Sequence, residues 1–151
     1  MYGRFIEEKI RLLIVEDDKL FRTTLSVSLQ ENPNIDVIGE AENGEQAVKL
    51  AKELNPDMIL MDLGLPEISG IEATEKILAA NPNIKIIVLT SHSNEDEAMD
   101  ALNAGAVSYA RKDIKFEHLT MIIQTVHRGA VWIDPIIAYK VLRKSKDNSK
   151  K

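Results

Sequence analysis

Three acids in a row, Glu16-Asp17-Asp18, directly follow the apolar run Ile10 to Val15, and a further acid, Asp62, directly follows Met58 to Met61. Thr90-Ser91 close the run that starts at Lys85, and Lys112 stands just past the run Val107 to Ala110. Carboxylates crowded together disfavour one another's ionised forms and raise their pKa values, and a divalent cation relieves the repulsion. Magnesium suits such a group, because it prefers octahedral oxygen coordination, keeps several waters and takes only one or two carboxylates from the protein. It also coordinates phosphoryl oxygens. Lys112 offers a mobile point charge to another such oxygen, and the Thr90 hydroxyl can hydrogen-bond a third. This inventory fits transfer of a phosphoryl group to a carboxylate, in which the protein positions the group and neutralises its charge.

Taken singly, each residue has a plainer reading. Asp18 can N-cap a helix, Asp62 can begin a turn, Thr90 can cap a helix and Lys112 can be a surface lysine. The elements around them decide otherwise. Short β-branched runs alternate five times with longer amphipathic stretches, which predicts an α/β fold with a parallel sheet covered on both faces. The strands are Ile10 to Val15, Asp36 to Glu40, Met58 to Met61, Lys85 to Leu89 and Val107 to Ala110, several of them nearly unbroken apolar runs. Phe21, Leu25 and Leu29 recur at helical spacing, as do Ala47, Leu50, Ala51 and Leu54. Asn32-Pro33, Asn55-Pro56 and Asn81-Pro82 each end a helix before the next strand. Helices over 69–80, 95–104 and 115–128 complete five. In a doubly wound sheet of order 2-1-3-4-5, the carboxyl ends of strands one, three, four and five share one rim. Asp134-Pro135 is an N-cap and first-turn pair opening an extra C-terminal helix that must pack on the domain or on another copy, with Trp132 as its anchor and the final SKDNSKK frayed.

The chain's 151 residues correspond to one domain, and 44% hydrophobic with 28% charged residues is a soluble globular composition. No apolar run approaches the roughly 20 residues that cross a bilayer, and the start MYGRFIEEKI is no signal peptide, so a cytoplasmic location without membrane association is expected. The absence of cysteine excludes disulfides, thiolate catalysis and sulfur-held zinc, and His92, His118 and His127 lack metal-ligand spacing. His118 and His127 read as surface helix residues. Residues 140–151 carry a net +5 and the rest −10, a basic tail on an acidic body that reads as a solvated helix end. Neither a Walker loop nor GxGxxG follows the first strand, which argues against a nucleotide site.

The segment Asp62-Leu63-Gly64-Leu65-Pro66 closing with Gly70, the acids of Ile14-Val15-Glu16-Asp17-Asp18, Thr90-Ser91, and the stretch from Ala104-Gly105-Ala106 through Tyr109 to Lys112-Asp113 resemble the receiver domain of two-component response regulators over about residues 9–129. That resemblance implies a flavodoxin-like (CheY-like) five-stranded sheet. It makes Asp62 the phosphoacceptor and Asp17 a direct Mg2+ ligand with Glu16 acting through water. The Gly64 backbone carbonyl completes the metal site, and Asp18 is left to capping or an outer position. Lys112, Thr90 and Tyr109 become the charge partner and the switch pair. Ser91 stands where the family commonly has alanine or glycine. Gly64 and His92 flank the path of water to the phosphoaspartate, and an open glycine there implies a short phosphorylation lifetime.

By the same resemblance, Thr90 moves to the phosphoryl group and Tyr109 swings inward behind it, reshaping the surface of the fourth helix, fifth strand and fifth helix. The domain is not an enzyme on outside substrates; it assists only its own phosphorylation and dephosphorylation. A sensor histidine kinase or a phosphotransfer protein is the implied donor, and a homodimer a possible product. The stretch 122–142 resembles the last receiver helix and linker of LuxR or NarL-type regulators. A helix-turn-helix output domain would follow in a longer parent protein, where it would carry DNA binding and transcription control; here residues 130–151 form only a linker-like helix and basic tail. Two other readings compete. A haloacid-dehalogenase-type phosphatase needs a second acid two residues after its nucleophile, where Gly64 stands, and a phosphate-independent receiver-like interaction module does not need the full set of Glu16, Asp17, Asp62, Thr90 and Lys112.

Overall fold

The computed structural model describes residues 9–92 and 94–149. The first eight residues of the leader reading, and Lys150 and Lys151 of the basic tail, lie outside the described residues. The elements run β1 (Ile10–Val15), α1 (Lys19–Gln30), β2 (Ile35–Ala41), α2 (Gly44–Leu54), β3 (Met58–Asp62), α3 (Gly70–Ala80), β4 (Lys85–Thr90), α4 (Glu95–Asn103), β5 (Ser108–Arg111), α5 (Phe116–His127), β6 (Trp132–Ile133) and α6 (Pro135–Ser149). All pairings in the sheet are parallel and its order is β2-β1-β3-β4-β5-β6. The anticipated five strands thus gain a short sixth, where Ser108 pairs with Trp132 and Tyr109 with Ile133.

Strand side chains alternate between two cores, as the pleat requires. Leu12 and Ile14 of β1 join Leu25 and Leu29 of α1 and Leu119, Ile122, Ile123 and Val126 of α5 on one face. Leu13 and Val15 join Ala47 and Ala51 of α2, Ala73 and Ile77 of α3, Ala98 and Ala101 of α4 and Ile137 of α6 on the other. The central strands are apolar over most of their length because both faces are covered. Helix starts follow the sequence. Asp18, Asn43, Ser69 and Asn94 accept first-turn N–H groups of α1, α2, α3 and α4, and Asp134 accepts from Ile136 and Ile137. Thr90 is therefore not the cap of α4. The C-terminal helix packs on α4, burying Ile137 fully, and runs through Ser149 where fraying was expected from Ser145. Trp132 does not anchor it. Adjacent β6 residues point to opposite faces, so Trp132 turns to the α1/α5 side, edge-on to His118 at 5.6 Å, while Ile133 faces the α6 side.

Candidate functional site

Four strand ends meet at one rim because β1, β3, β4 and β5 are consecutive in the sheet. Asp62 is the last residue of β3 and only 4% exposed, and Glu16, just past β1, is 2% exposed. Lys112 Nζ lies 2.6 Å from Glu16 Oε1 and 3.0 Å from Asp62 Oδ1, and 5.3 Å from the centre of the Phe21 ring. The Lys112 N–H donates to the Thr90 carbonyl at 2.8 Å, which fixes the lysine to the end of β4. Glu16 Oε2 accepts from the Asp18 N–H at 2.9 Å, and Arg22 Nη1 donates to the Glu16 carbonyl at 2.7 Å. Asp62 Oδ1 accepts from the Gly64 N–H at 3.0 Å.

The loop after β3 shows why its glycines stand where they do. A Cβ on Gly70 would lie 2.3 Å from the Asp62 carbonyl oxygen and 2.9 Å from Leu63 Cα, so only glycine lets α3 start this close to the end of β3. A Cβ on Gly64 would sit 3.6 Å from Asp62 Oδ1, an ordinary van der Waals contact. Glycine leaves that side open.

Glu16, Asp17 and Asp62 each offer a carboxylate oxygen, and the three oxygens lie within 4.8 Å of one another. This all-oxygen donor set, two members buried and Asp17 exposed, fits a hard divalent cation that keeps waters on its open side. Burial pushes the Glu16 carboxyl up to about 7, against the pull of Lys112 and the Asp18 N–H. Asp17 moves the other way: partial burial would raise it, but hydrogen bonding with the Asp62 and Glu16 carboxyls outweighs that and holds it below the usual carboxylate range. The Lys112 ammonium loses hydration, yet bonds to Glu16 and Asp62 more than compensate and raise its pKa. A cleft of about 310 Å³ opens over these groups, lined also by Asp18, Gly64, Thr90, Ser91 and His92.

Thr90 and Tyr109 meet a third residue that the sequence did not reveal. Thr90 Oγ1 donates to Glu97 Oε1 of α4 at 2.8 Å, and the Tyr109 hydroxyl lies 3.2 Å from the same oxygen and 3.3 Å from the His92 carbonyl. Tyr109 faces inward in this structure. Its side chain is fully buried in the core that also holds Ile137, because acceptors for its hydroxyl lie inside and α6 closes the outside. Burial and the neighbouring Glu97 charge push its pKa up to about 12.

With this geometry in view, the family model for the response regulator receiver domain matches residues 12–124. The chain belongs to the response regulator receiver family. Curated relatives include the transcriptional regulatory protein DegU of Brevibacillus brevis, 33% identical over 137 residues covering 91% of this chain and 58% of that protein. LiaR of Bacillus subtilis is 41% identical, with 88% of this receiver and 63% of the relative covered. The response regulator GacA of Pseudomonas aeruginosa is 38% identical, with 90% and 64% covered. The receiver thus spans about 60% of the length of these LuxR/NarL-type relatives. Among solved structures, a LuxR-family two-component response regulator from Aurantimonas superposes with a TM-score of 0.86 at 29% identity over 91% of this receiver and 99% of that chain. The response regulator domain of Thermotoga maritima CheB gives 0.72 at 32% identity over 82% and 96%. Membership in a signalling-domain family also separates the chain from the haloacid-dehalogenase hydrolases. Among the described residues, no helix is long and apolar enough to cross a membrane.

Proposed function

We propose that this receiver accepts a phosphoryl group on Asp62 from a sensor histidine kinase or phosphotransfer protein and passes the event to its α4/β5/α5 surface. The observation that carries this reading is the single cleft that gathers Asp62, the Glu16 and Asp17 carboxyls, Lys112 and Thr90. Asp62 attacks phosphorus as the bond to the donor breaks. Its Oδ1 is oriented for this by the Gly64 N–H and by Lys112, whose ammonium can follow the charge onto a phosphoryl oxygen. Glu16, Asp17, Asp62 and the Gly64 carbonyl would hold Mg2+, which when bound supplies positive charge against the phosphoryl oxygens. The open Gly64 side gives water a route to the product, so a short phosphorylation lifetime is expected. Residues 9–129 form the receiver and 130–151 the linker-like segment. Transcription control through an output domain of the parent protein belongs to the same reading, supported by the names of the relatives, and a cytoplasmic location goes with it.

Thr90 is the hinge of the signal. Its hydroxyl gains a bond to the new phosphoryl group, and a homodimer through the reshaped face is one outcome. The test is a set of backbone amide NMR spectra before and after treatment with magnesium and acetyl phosphate. Wild type should shift amides in α4 and β5 on phosphorylation, and Thr90→Ala should take the phosphoryl group while those amides stay in place. Full wild-type shifts in phosphorylated Thr90→Ala would refute the coupling. Acquisition of the same spectra without any phosphorylation would favour the phosphate-independent module.

A further inference from the structure

Glu97 occupies an unexpected position for an acid. Its half-buried carboxylate reaches from the first turn of α4 into the cleft that is to receive a dianionic phosphoryl group, and a single oxygen, Oε1, meets both switch hydroxyls. A hydroxyl has one proton to give. While Thr90 donates to Glu97 at 2.8 Å it cannot also donate to a phosphoryl oxygen on Asp62. Like charges brought together in a partly desolvated cleft also repel. Structural support of α4 does not require Glu97, because the helix start is capped by Asn94, which accepts from the N–H groups of both Asp96 and Glu97.

We propose that Glu97 is a positioning residue that sets the threshold of the switch: its carboxylate retains the Thr90 hydroxyl, and phosphorylation must release Thr90 from Glu97 before Thr90 can hold the phosphoryl group. This rests on Asp62 being the phosphoacceptor. The exchange is one hydrogen bond for another, Thr90 Oγ1–H leaving Glu97 Oε1 for a phosphoryl oxygen. Tyr109 remains in place and keeps the Glu97 or His92 oxygen as its acceptor. The resting receiver is thereby biased against the phosphorylated arrangement by a group that lies outside the acid rim.

The test measures the affinity of the receiver for beryllofluoride, a non-hydrolysing phosphoryl mimic, in the presence of magnesium. Glu97→Gln keeps the side chain's size and removes its charge, and Glu97→Ala removes the acceptor. Each should tighten beryllofluoride about tenfold, the scale of one hydrogen bond to a charged acceptor. A second pair of variants carries the same changes on Thr90→Ala. There the gain should shrink to about threefold or less, because no Thr90 hydroxyl is left to release and only charge repulsion is relieved. Equal gains with and without Thr90, or no gain in either variant, would overturn the proposal while leaving the site reading intact. Failure of wild type to bind beryllofluoride at all, with Asp62→Asn no different, would overturn the phosphoacceptor reading and the proposal with it.

Discussion

The cluster of Glu16, Asp62 and Lys112 and the cluster of Thr90, Glu97 and Tyr109 share one cleft, yet the first is closed by charges at strand ends and the second by a carboxylate brought in on a helix. In the first, a lysine bridges two buried acids, and the parts are fixed to one another through the sheet. In the second, two neutral hydroxyls converge on one oxygen of a side chain on α4, whose own position depends on what it packs against. On the proposed function, the first cluster is where the phosphoryl group is received and the second is what reports it. The helix that carries Glu97 is also the one that α6 packs on: Asp96, beside Glu97, pairs with Lys144, and Ile137 lies in the same core as Tyr109. On the proposed function, a change at Thr90 would act on a helix already in contact with the C-terminal segment.

The contrast is most strongly tested by removing the lysine. Lys112→Met leaves two buried carboxylates without their counter-charge, and breaking a buried pair costs on the order of 3 kcal/mol. Urea unfolding without divalent cations should show that loss, and added magnesium should restore part of it. Equal stability of variant and wild type without magnesium would mean that the first cluster is not held by charge.

Tyr109→Phe addresses the second cluster and should cost only about 1 kcal/mol, the value of one hydrogen bond, while phosphorylation remains intact. It should also remove a pH dependence. The Tyr109 pKa is raised from 10.0 to about 12, so the folded state keeps a proton that the unfolded chain releases. Its contribution is then complete below pH 10 and lost as pH rises toward 12. Denaturant midpoints across that range should fall more steeply in wild type than in Tyr109→Phe, and parallel curves would place the hydroxyl in water.

The smallest effect belongs to Asp18. As the cap that accepts from the Phe21 N–H at 3.1 Å, it should contribute about 0.5–1 kcal/mol, and Asp18→Ala should leave magnesium affinity unchanged. A large drop in that affinity would move Asp18 from helix capping into the metal site.

The same contrast explains what was readable in the sequence. Glu16, Asp17, Asp62, Thr90 and Lys112 each follow an apolar run, and strand order alone brings such positions to one rim, so their grouping was legible before any coordinates. Glu97 was not. It is one of three acids, Glu95, Asp96 and Glu97, in a helix first turn where acids are favoured anyway, and nothing in its type distinguishes the one that turns inward. The sixth strand escaped for a related reason: two residues, Trp132 and Ile133, are too short to show alternation. Without that strand, Trp132 reads as an anchor of the C-terminal helix, whereas the alternation of β6 turns it to the α1/α5 side. Tyr109 was recognised by position, but its burial depends on α6 and on Glu97, which the local sequence around Tyr109 does not contain.

The most direct measurement is the intact mass of the chain after incubation with magnesium and acetyl phosphate, beside Asp62→Asn and a sample with chelator. The account predicts one added phosphoryl group on wild type and none in either control. A phosphoryl group retained by Asp62→Asn, or gained equally in chelator, would contradict it.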